Sequence, residues 1–240
     1  MIAMSSRQPP ACAAPDVIAA AQAHALADFP REAVGIIDRA GAYQRLANQA
    51  ADRDDFAVAP GAAAGAVALI HSHTNGNAAP SERDMRQQIA TAIPWGIIMT
   101  DGQTAAAPFW WGDMLGSVPL LGREWRSGIT DCVSLVRDWF QAERGVLLPE
   151  MPREPDWARA HGAALAGAGF VRFGFGRVPA AEASTGDVLV IRMAGAPAPH
   201  HVAVLLDGQD VIHHLTGDLS RREPLGRWAR FVTGVLRHGA

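Results

Sequence analysis

Residues 71–84 read HSHTNGNAAPSERD, a stretch that sets two histidines and a carboxylate at a spacing suited to one metal ion. The stretch begins inside an apolar run that predicts a β-strand, and alternate side chains of a strand share a face, so His71 and His73 point the same way. Ser81 follows a proline and begins a predicted helix, which puts Asp84 one turn inside it. The pattern predicts a zinc site with an open fourth position for water.

Two further residues complete the chemistry of this site. Glu32, in the segment PREAVG, is the candidate general base, because a carboxylate beside metal-bound water can accept its proton. Ser81 has two possible roles. Its hydroxyl either hydrogen-bonds the developing oxyanion or serves only as the N-cap of the helix.

A second reactive group lies in the segment GITDCVSLV. Cys132 stands where a loop is expected to become a helix, and a helix N-terminus lowers the pKa of a thiol. His201 heads the predicted strand HVAVLL and is the best candidate for the imidazole that pairs with a thiolate nucleophile. A buried structural thiol is the alternative interpretation of a lone helical cysteine.

The third polar member of this second site depends on the register of a predicted hairpin. A three-residue loop over 207–209 places His213 opposite Ala203, on the face that His201 shares. A two-residue loop presents His214 instead. We favour His213, which would orient the imidazole of His201.

Composition limits the classes of protein that fit. The chain has 240 residues, 49% hydrophobic and 19% charged, enough for one large domain or two of roughly 120 residues. A net charge of −3 without a dense Lys/Arg run argues against a nucleic-acid partner. No apolar run reaches membrane-spanning length or has signal-peptide character, so we expect the protein to begin in the cytoplasm. Cys12 and Cys132 are expected to be free thiols.

Hydrophobic periodicity predicts two α+β domains with short antiparallel sheets. Periodicity is lost from 108 to 122, and we expect domains over 1–112 and 123–240 joined by a linker at 113–122. The predicted helices cover 16–29, 81–92, 132–142 and 156–166. One predicted strand begins at residue 35, and the others cover 66–73, 96–99, 188–193, 201–206 and 211–215.

The pattern HSHx7SxxD with its upstream PREAVG resembles the JAMM/MPN metallopeptidase domain. The resemblance implies an α/β sandwich with His71, His73 and Asp84 as zinc ligands, Glu32 as base and Ser81 as the oxyanion contact. It also implies cleavage of isopeptide or C-terminal tail bonds of ubiquitin-like folds.

The segments GITDCVSLVRDWF, GDVLV, HVAVLL and VIHH resemble the NlpC/P60 cysteine peptidases over about residues 120–238. This resemblance implies a papain-like core with an antiparallel sheet that cuts cell-wall peptides. A tyrosine upstream of the nucleophile often contributes its hydroxyl in that family. Trp125 stands in the matching region of this chain and has no hydroxyl.

The fusion of the two domains in this order resembles a family of tail-tip assembly proteins of lambda-like phages and prophages. It implies other tail-tip proteins as partners, one of them with a ubiquitin-like fold, and the peptidoglycan stem peptide as substrate. The expected location is the tail tip of the virion, after assembly in the host cytoplasm. Two alternatives stay open: a non-catalytic assembly component, for which the apolar segment 109–111 would suit a protein contact, and a free cellular wall amidase or JAMM-type processing enzyme.

Overall fold

The protein is described by a computed structural model that covers residues 8–112, 115–116, 118–155, 157 and 169–239. These residues form two compact units that divide between Val118 and Pro119. Each unit contains a sheet with helical segments, which confirms the predicted α+β fold with two domains. No helix in the described part of the chain is both long and apolar enough to cross a membrane.

The N-terminal unit contains a five-stranded sheet in the order β2-β1-β3-β4-β5. Its predicted helices and strands are present to within a few residues, and β2 and β5 are additions. The elements are α1 (Pro15–Asp28), β1 (Val34–Ile37), β2 (Tyr43–Leu46), β3 (Ala68–His73), α2 (Glu82–Thr91), β4 (Trp95–Met99) and β5 (Phe109–Trp111).

This sheet is mixed, so the prediction of an antiparallel sheet in both halves is wrong for the N-terminal half. Strands β3 and β4 pair in parallel, with His71 beside Ile97. Parallel strands require a crossover connection, and α2 supplies it. The helix that carries Asp84 of the predicted zinc site is therefore also the crossover between β3 and β4.

The segment 109–111 is a strand, although the sequence had placed it at a domain boundary and suggested an exposed contact patch. It pairs antiparallel with β4, and Trp110 and Trp111 are buried. A Cβ atom added at Gly96 would lie 3.1 Å from the Trp110 ring, so the glycine leaves room for this indole. Three residues are too few to show a period of two, which is why the strand escaped detection.

The C-terminal unit contains a six-stranded sheet in the order β10-β9-β8-β7-β11-β6, and all its pairings are antiparallel as predicted. Three strands were not predicted: β6, β10 and β11. The predicted helix 156–166 lies outside the described residues except for Trp157. The elements are α3 (Cys132–Arg144), β6 (Phe175–Val178), β7 (Val188–Ile191), β8 (His201–Leu206), β9 (Asp210–His213), β10 (Arg221–Pro224) and β11 (Val232–His238).

The two faces of this sheet have different partners, because side chains alternate along each strand. Val202 and Val204 of β8 belong to the core cluster that also contains Cys132 and the apolar face of α3. Ala203 and Leu205 belong to a separate cluster that contains Trp228. His201 and His213 lie on the side of the sheet that carries Trp228, and both of their rings contact the indole.

Candidate functional sites

Two histidines and two carboxylates form a buried cluster in the N-terminal unit. The Nε2 atoms of His71 and His73 lie 3.1 Å apart at the end of β3. Asp84 reaches both rings, with its Oδ1 3.6 Å from His71 Nε2 and its Oδ2 3.7 Å from His73 Nε2. Glu32 Oε1 is 3.9 Å from His73 Nε2. Ligand atoms of Glu32, His71 and His73 lie within 4.8 Å of one another and could hold a metal ion.

Strand pairing and a helix cap bring these groups together. Strand β1 pairs with β3 so that Val34 lies opposite His71, which carries the preceding Glu32 to the end of β3. Ser81 is the N-cap of α2, and its hydroxyl accepts a hydrogen bond from the Asp84 amide. The hydroxyl also donates to Asp84 Oδ2 over 2.7 Å. Ser81 thus holds the carboxylate in place, and its oxyanion role stays a prediction.

Burial dominates the electrostatics of this cluster. It raises the pKa of Glu32 to about 8, with a further contribution from Asp84, and lowers the pKa of His71 to about 3. Burial opposes ionisation of Asp84 as well, but His71, His73 and Ser81 together hold the pKa of Asp84 below its usual range. The neutral imidazole of His71 and the ionised carboxylate of Asp84 are donors of the kind that bind zinc, so this pair fits the metal.

Three aromatic rings surround His71, and the sequence predicts none of them as a site residue. The centroid of its imidazole lies 4.8 Å from that of Phe56, 5.8 Å from Trp95 and 6.1 Å from Trp111. These contacts restrict the orientation of the ring that points Nε2 into the cluster. Only the tertiary fold gathers the three aromatic residues, because they come from separate parts of the chain.

Cys132 is the first residue of α3, as predicted, and is 4% exposed. A backbone hydrogen bond from Val202 favours its thiolate form. Among the described residues no hydrogen bond joins this thiol to His201. The structure thus brings Cys132 to the strand segment beside His201 without linking the two side chains.

The expected lowering of the Cys132 pKa at a helix N-terminus is wrong for this structure. Burial, together with the charge of Asp131, raises the pKa of the thiol to about 12. The hydrogen bond from Val202 works in the opposite direction but is outweighed, because burial withdraws the sulfur from water that would solvate its charge.

The hairpin register that favoured His213 is confirmed. Residues 207–209 connect β8 to β9, and His213 lies opposite Ala203. His201 Nε2 is 3.2 Å from His213 Nδ1, and both side chains are buried. His214 bonds elsewhere, to the carbonyl oxygen of Asp218.

Glu223 is a site residue that the sequence did not reveal. Its Oε2 is 3.2 Å from His213 Nε2, so it extends the pair of imidazoles to a carboxylate. Arg221 of β10 lies opposite His213 of β9. Glu223 comes two residues after Arg221, so its side chain lies on the same face of the sheet as that of His213. The position of Glu223 next to His213 can be predicted only once the pairing of β10 with β9 is known.

Comparison with known proteins supplies the family. The chain is 33% identical over 177 residues to the tail tip assembly protein K of Escherichia phage lambda, covering 72% of this chain and 82% of that protein. It is 31% identical over 234 residues to the tail tip assembly protein K of Escherichia phage N15, covering 92% of this chain and 93% of that protein. The chain belongs to the tail tip assembly protein K family.

Two family models match this member of the tail tip assembly protein K family, one in each half of the chain. The NlpC/P60 family matches residues 106–237, more than half of the chain. The model described as prokaryotic homologs of the JAB domain matches residues 14–112. The resemblances of the two halves to the JAMM/MPN and NlpC/P60 domains are thereby confirmed.

Solved structures also resemble this tail tip assembly protein K family member. A protein from Salinibacter ruber is 21% identical and covers 41% of this chain and 79% of its own, with a TM-score of 0.29. An NlpC/P60 family protein from Bacillus cereus ATCC 10987 is 12% identical and covers 88% of this chain and 65% of its own, with a TM-score of 0.34.

Proposed function

We propose that the protein is a tail-tip component of a phage or prophage whose C-terminal unit hydrolyses amide bonds of peptidoglycan stem peptides. The family of the chain supports a role in the tail, and its NlpC/P60 half supports peptide cleavage. One observation carries the proposal. Cys132 begins a helix beside β8, the strand that carries His201, and His201 forms a hydrogen-bonded pair with His213 of β9.

The proposed reaction uses Cys132 as nucleophile and His201 as acid and base. Because His213 engages Nε2 of His201, Nδ1 is the nitrogen left to take the thiol proton. The sulfur then attacks the amide carbonyl, and the imidazolium of His201 gives its proton to the departing amine. Water, deprotonated by the same imidazole, hydrolyses the thioester and releases Cys132 as a thiol. His213 orients His201 throughout.

For the N-terminal unit we propose a zinc-dependent peptidase or isopeptidase that acts on a tail protein with a ubiquitin-like fold. His71, His73 and Asp84 would hold the metal. The chemistry that bound zinc supplies is polarisation of the scissile carbonyl and a lowered pKa of its water. Glu32 accepts the proton of the attacking water, and the Ser81 hydroxyl turns its hydrogen from Asp84 to the developing oxyanion.

A second candidate function is that of an assembly component without peptidase activity. The observation in its favour is the buried Cys132 thiol, whose raised pKa leaves it protonated in the resting structure. Other tail-tip proteins are the partners under both proposals.

Mass spectrometry of fragments released from purified sacculi tests the main proposal. The intact protein should release cut stem peptides, Cys132→Ala should release none, and a chelator should leave the release unchanged. Cys12→Ala is the matched control, because Cys12 lies in the other unit and should be dispensable. No release by folded protein of native sequence would favour the assembly component.

A further inference from the structure

We infer that Glu223 is a positioning residue of the C-terminal site. Its carboxylate sets the tautomer of His213 and, through His213, that of His201, so that Nδ1 of His201 is left as the base for Cys132. This inference rests on the proposed cysteine peptidase function.

The carboxylate of Glu223 is held by four hydrogen bonds. Its Oε2 accepts from His213 Nε2 over 3.2 Å and from Trp228 Nε1 over 2.9 Å. Its Oε1 accepts from Arg221 Nε over 3.1 Å and from Arg227 over 3.2 Å. Two donors on each oxygen leave the group little freedom to turn. The side chain is 13% exposed, so the contact with His213 is largely shielded from solvent.

An ionised carboxylate can only accept hydrogen bonds, and this determines where the imidazole hydrogens lie. His213 must carry its hydrogen on Nε2, which faces Glu223. A neutral imidazole has one N–H, so Nδ1 of His213 is an acceptor. His201 must therefore donate from Nε2 to that Nδ1, across 3.2 Å. The remaining lone pair of His201 is on Nδ1.

The charge states that this argument requires agree with the surroundings. Burial lowers the pKa of His213 and lowers that of His201 well below its ordinary value, so both rings are neutral near pH 7. Burial works against ionisation of Glu223, but hydrogen bonding to Trp228 and the charge of Arg221 hold the pKa of Glu223 below its ordinary value.

Trp228 couples the same carboxylate to both rings. Its ring centroid is 4.5 Å from that of His213 and 6.0 Å from that of His201. Because its N–H is tied to Glu223, the indole is fixed as a wall against which the two imidazoles pack. Glu223 therefore fixes both the tautomer and the position of the pair.

Long-range 1H–15N NMR of the histidine rings tests the inference, since ring nitrogen shifts distinguish the two tautomers. Near pH 7 the native sequence should show Nε2–H on both His201 and His213. Glu223→Leu removes the acceptor and should convert His213 to a mixture that includes Nδ1–H. Glu223→Gln keeps an oxygen acceptor and should retain the native tautomers. Asp210→Asn is the control, because Asp210 lies on the neighbouring strand and bonds Arg222 instead.

Release of stem peptides by the same variants provides the second readout. Glu223→Leu should lower kcat about tenfold to a hundredfold with KM nearly unchanged, while Glu223→Gln recovers most of the rate. Nδ1–H on His213 of the native sequence, or equal rates for Glu223→Leu and the native sequence, would overturn the inference. Failure of the native protein to cut sacculi would instead count against the proposed function. The NMR measurement of the tautomers would still test the role of Glu223 in that case. If Glu223→Leu does not fold, the native and Glu223→Gln spectra decide.

Discussion

The resting protonation of Cys132 is the residue-scale feature that bears most directly on mechanism. The thiol begins a helix, which favours its anion, yet burial raises its pKa to about 12. The pKa of His201 lies well below its ordinary value, mainly because the ring is buried. Thiol and imidazole are both neutral near pH 7, so the thiolate would have to form in the course of the proposed reaction.

Alkylation of Cys132 by iodoacetamide should therefore rise steeply with pH. Only the thiolate reacts, and below its pKa the thiolate fraction grows about tenfold per pH unit, so the rate should climb at that slope from about pH 7 to pH 10. Mass spectrometry of the peptide that contains Cys132 measures the rate. Cys12 is alkylated in the same sample and serves as an internal reference. A flat rate across this range would mean that a thiolate–imidazolium pair already exists.

At the scale of the element, the start of α3 depends on a buried ion pair. Asp131 caps the helix by accepting from the Ser134 amide over 2.9 Å and also accepts from the Gly128 amide over 2.8 Å. Arg153 donates to both oxygens of Asp131, over 2.8 and 2.7 Å. Neither side chain is exposed to solvent. The guanidinium of Arg153 thus holds the carboxylate that accepts hydrogen bonds from both the loop before Cys132 and the first turn of α3.

Arg153→Met should destabilise the C-terminal unit by about 3–5 kcal/mol, because it leaves the carboxylate of Asp131 buried without a charged partner. Urea denaturation followed by circular dichroism measures the loss. The control is Arg222→Met, which removes a solvent-exposed pair with Asp210 and should cost less than about 1 kcal/mol. Adding Asp131→Asn to Arg153→Met should restore part of the stability. Equal losses for Arg153→Met and Arg222→Met would refute the role of the buried pair.

At the scale of the whole molecule, the two units have separate cores. Residues of α1, β1, β3 and β4 form one cluster, while α3 and the six-stranded sheet form others. The zinc cluster proposed here belongs to the N-terminal unit alone. A metal that binds the folded N-terminal unit stabilises that unit by mass action.

Differential scanning calorimetry should therefore resolve two transitions that respond to different changes. Removing zinc with a chelator should lower one of them by about 10 °C or more if the free metal had exceeded its Kd a hundredfold. His73→Ala should abolish that shift, whereas Arg153→Met should lower only the other transition. A chelator that moves neither transition, or both equally, would contradict a metal site confined to the N-terminal unit.

Short-range rules were enough to predict much of this protein. The period of two along β3 placed His71 and His73 on one face, and the cap at Ser81 fixed the start of α2. The length of the 207–209 loop set the register that brings His213 to His201. These features depend on residues close together in the chain, and backbone geometry constrains such residues in the same way in any fold.

The sequence by itself therefore determined the two domain classes, the clustering of His71, His73 and Asp84, and the pairing of His201 with His213. Only the tertiary structure decided that the segment 109–111 is a buried strand, that Glu223 reaches His213, and that burial raises the pKa of the Cys132 thiol. The physical reason is that strand pairing between distant segments and the withdrawal of a group from water depend on the whole packed chain. Neither leaves a periodic signal in the local sequence.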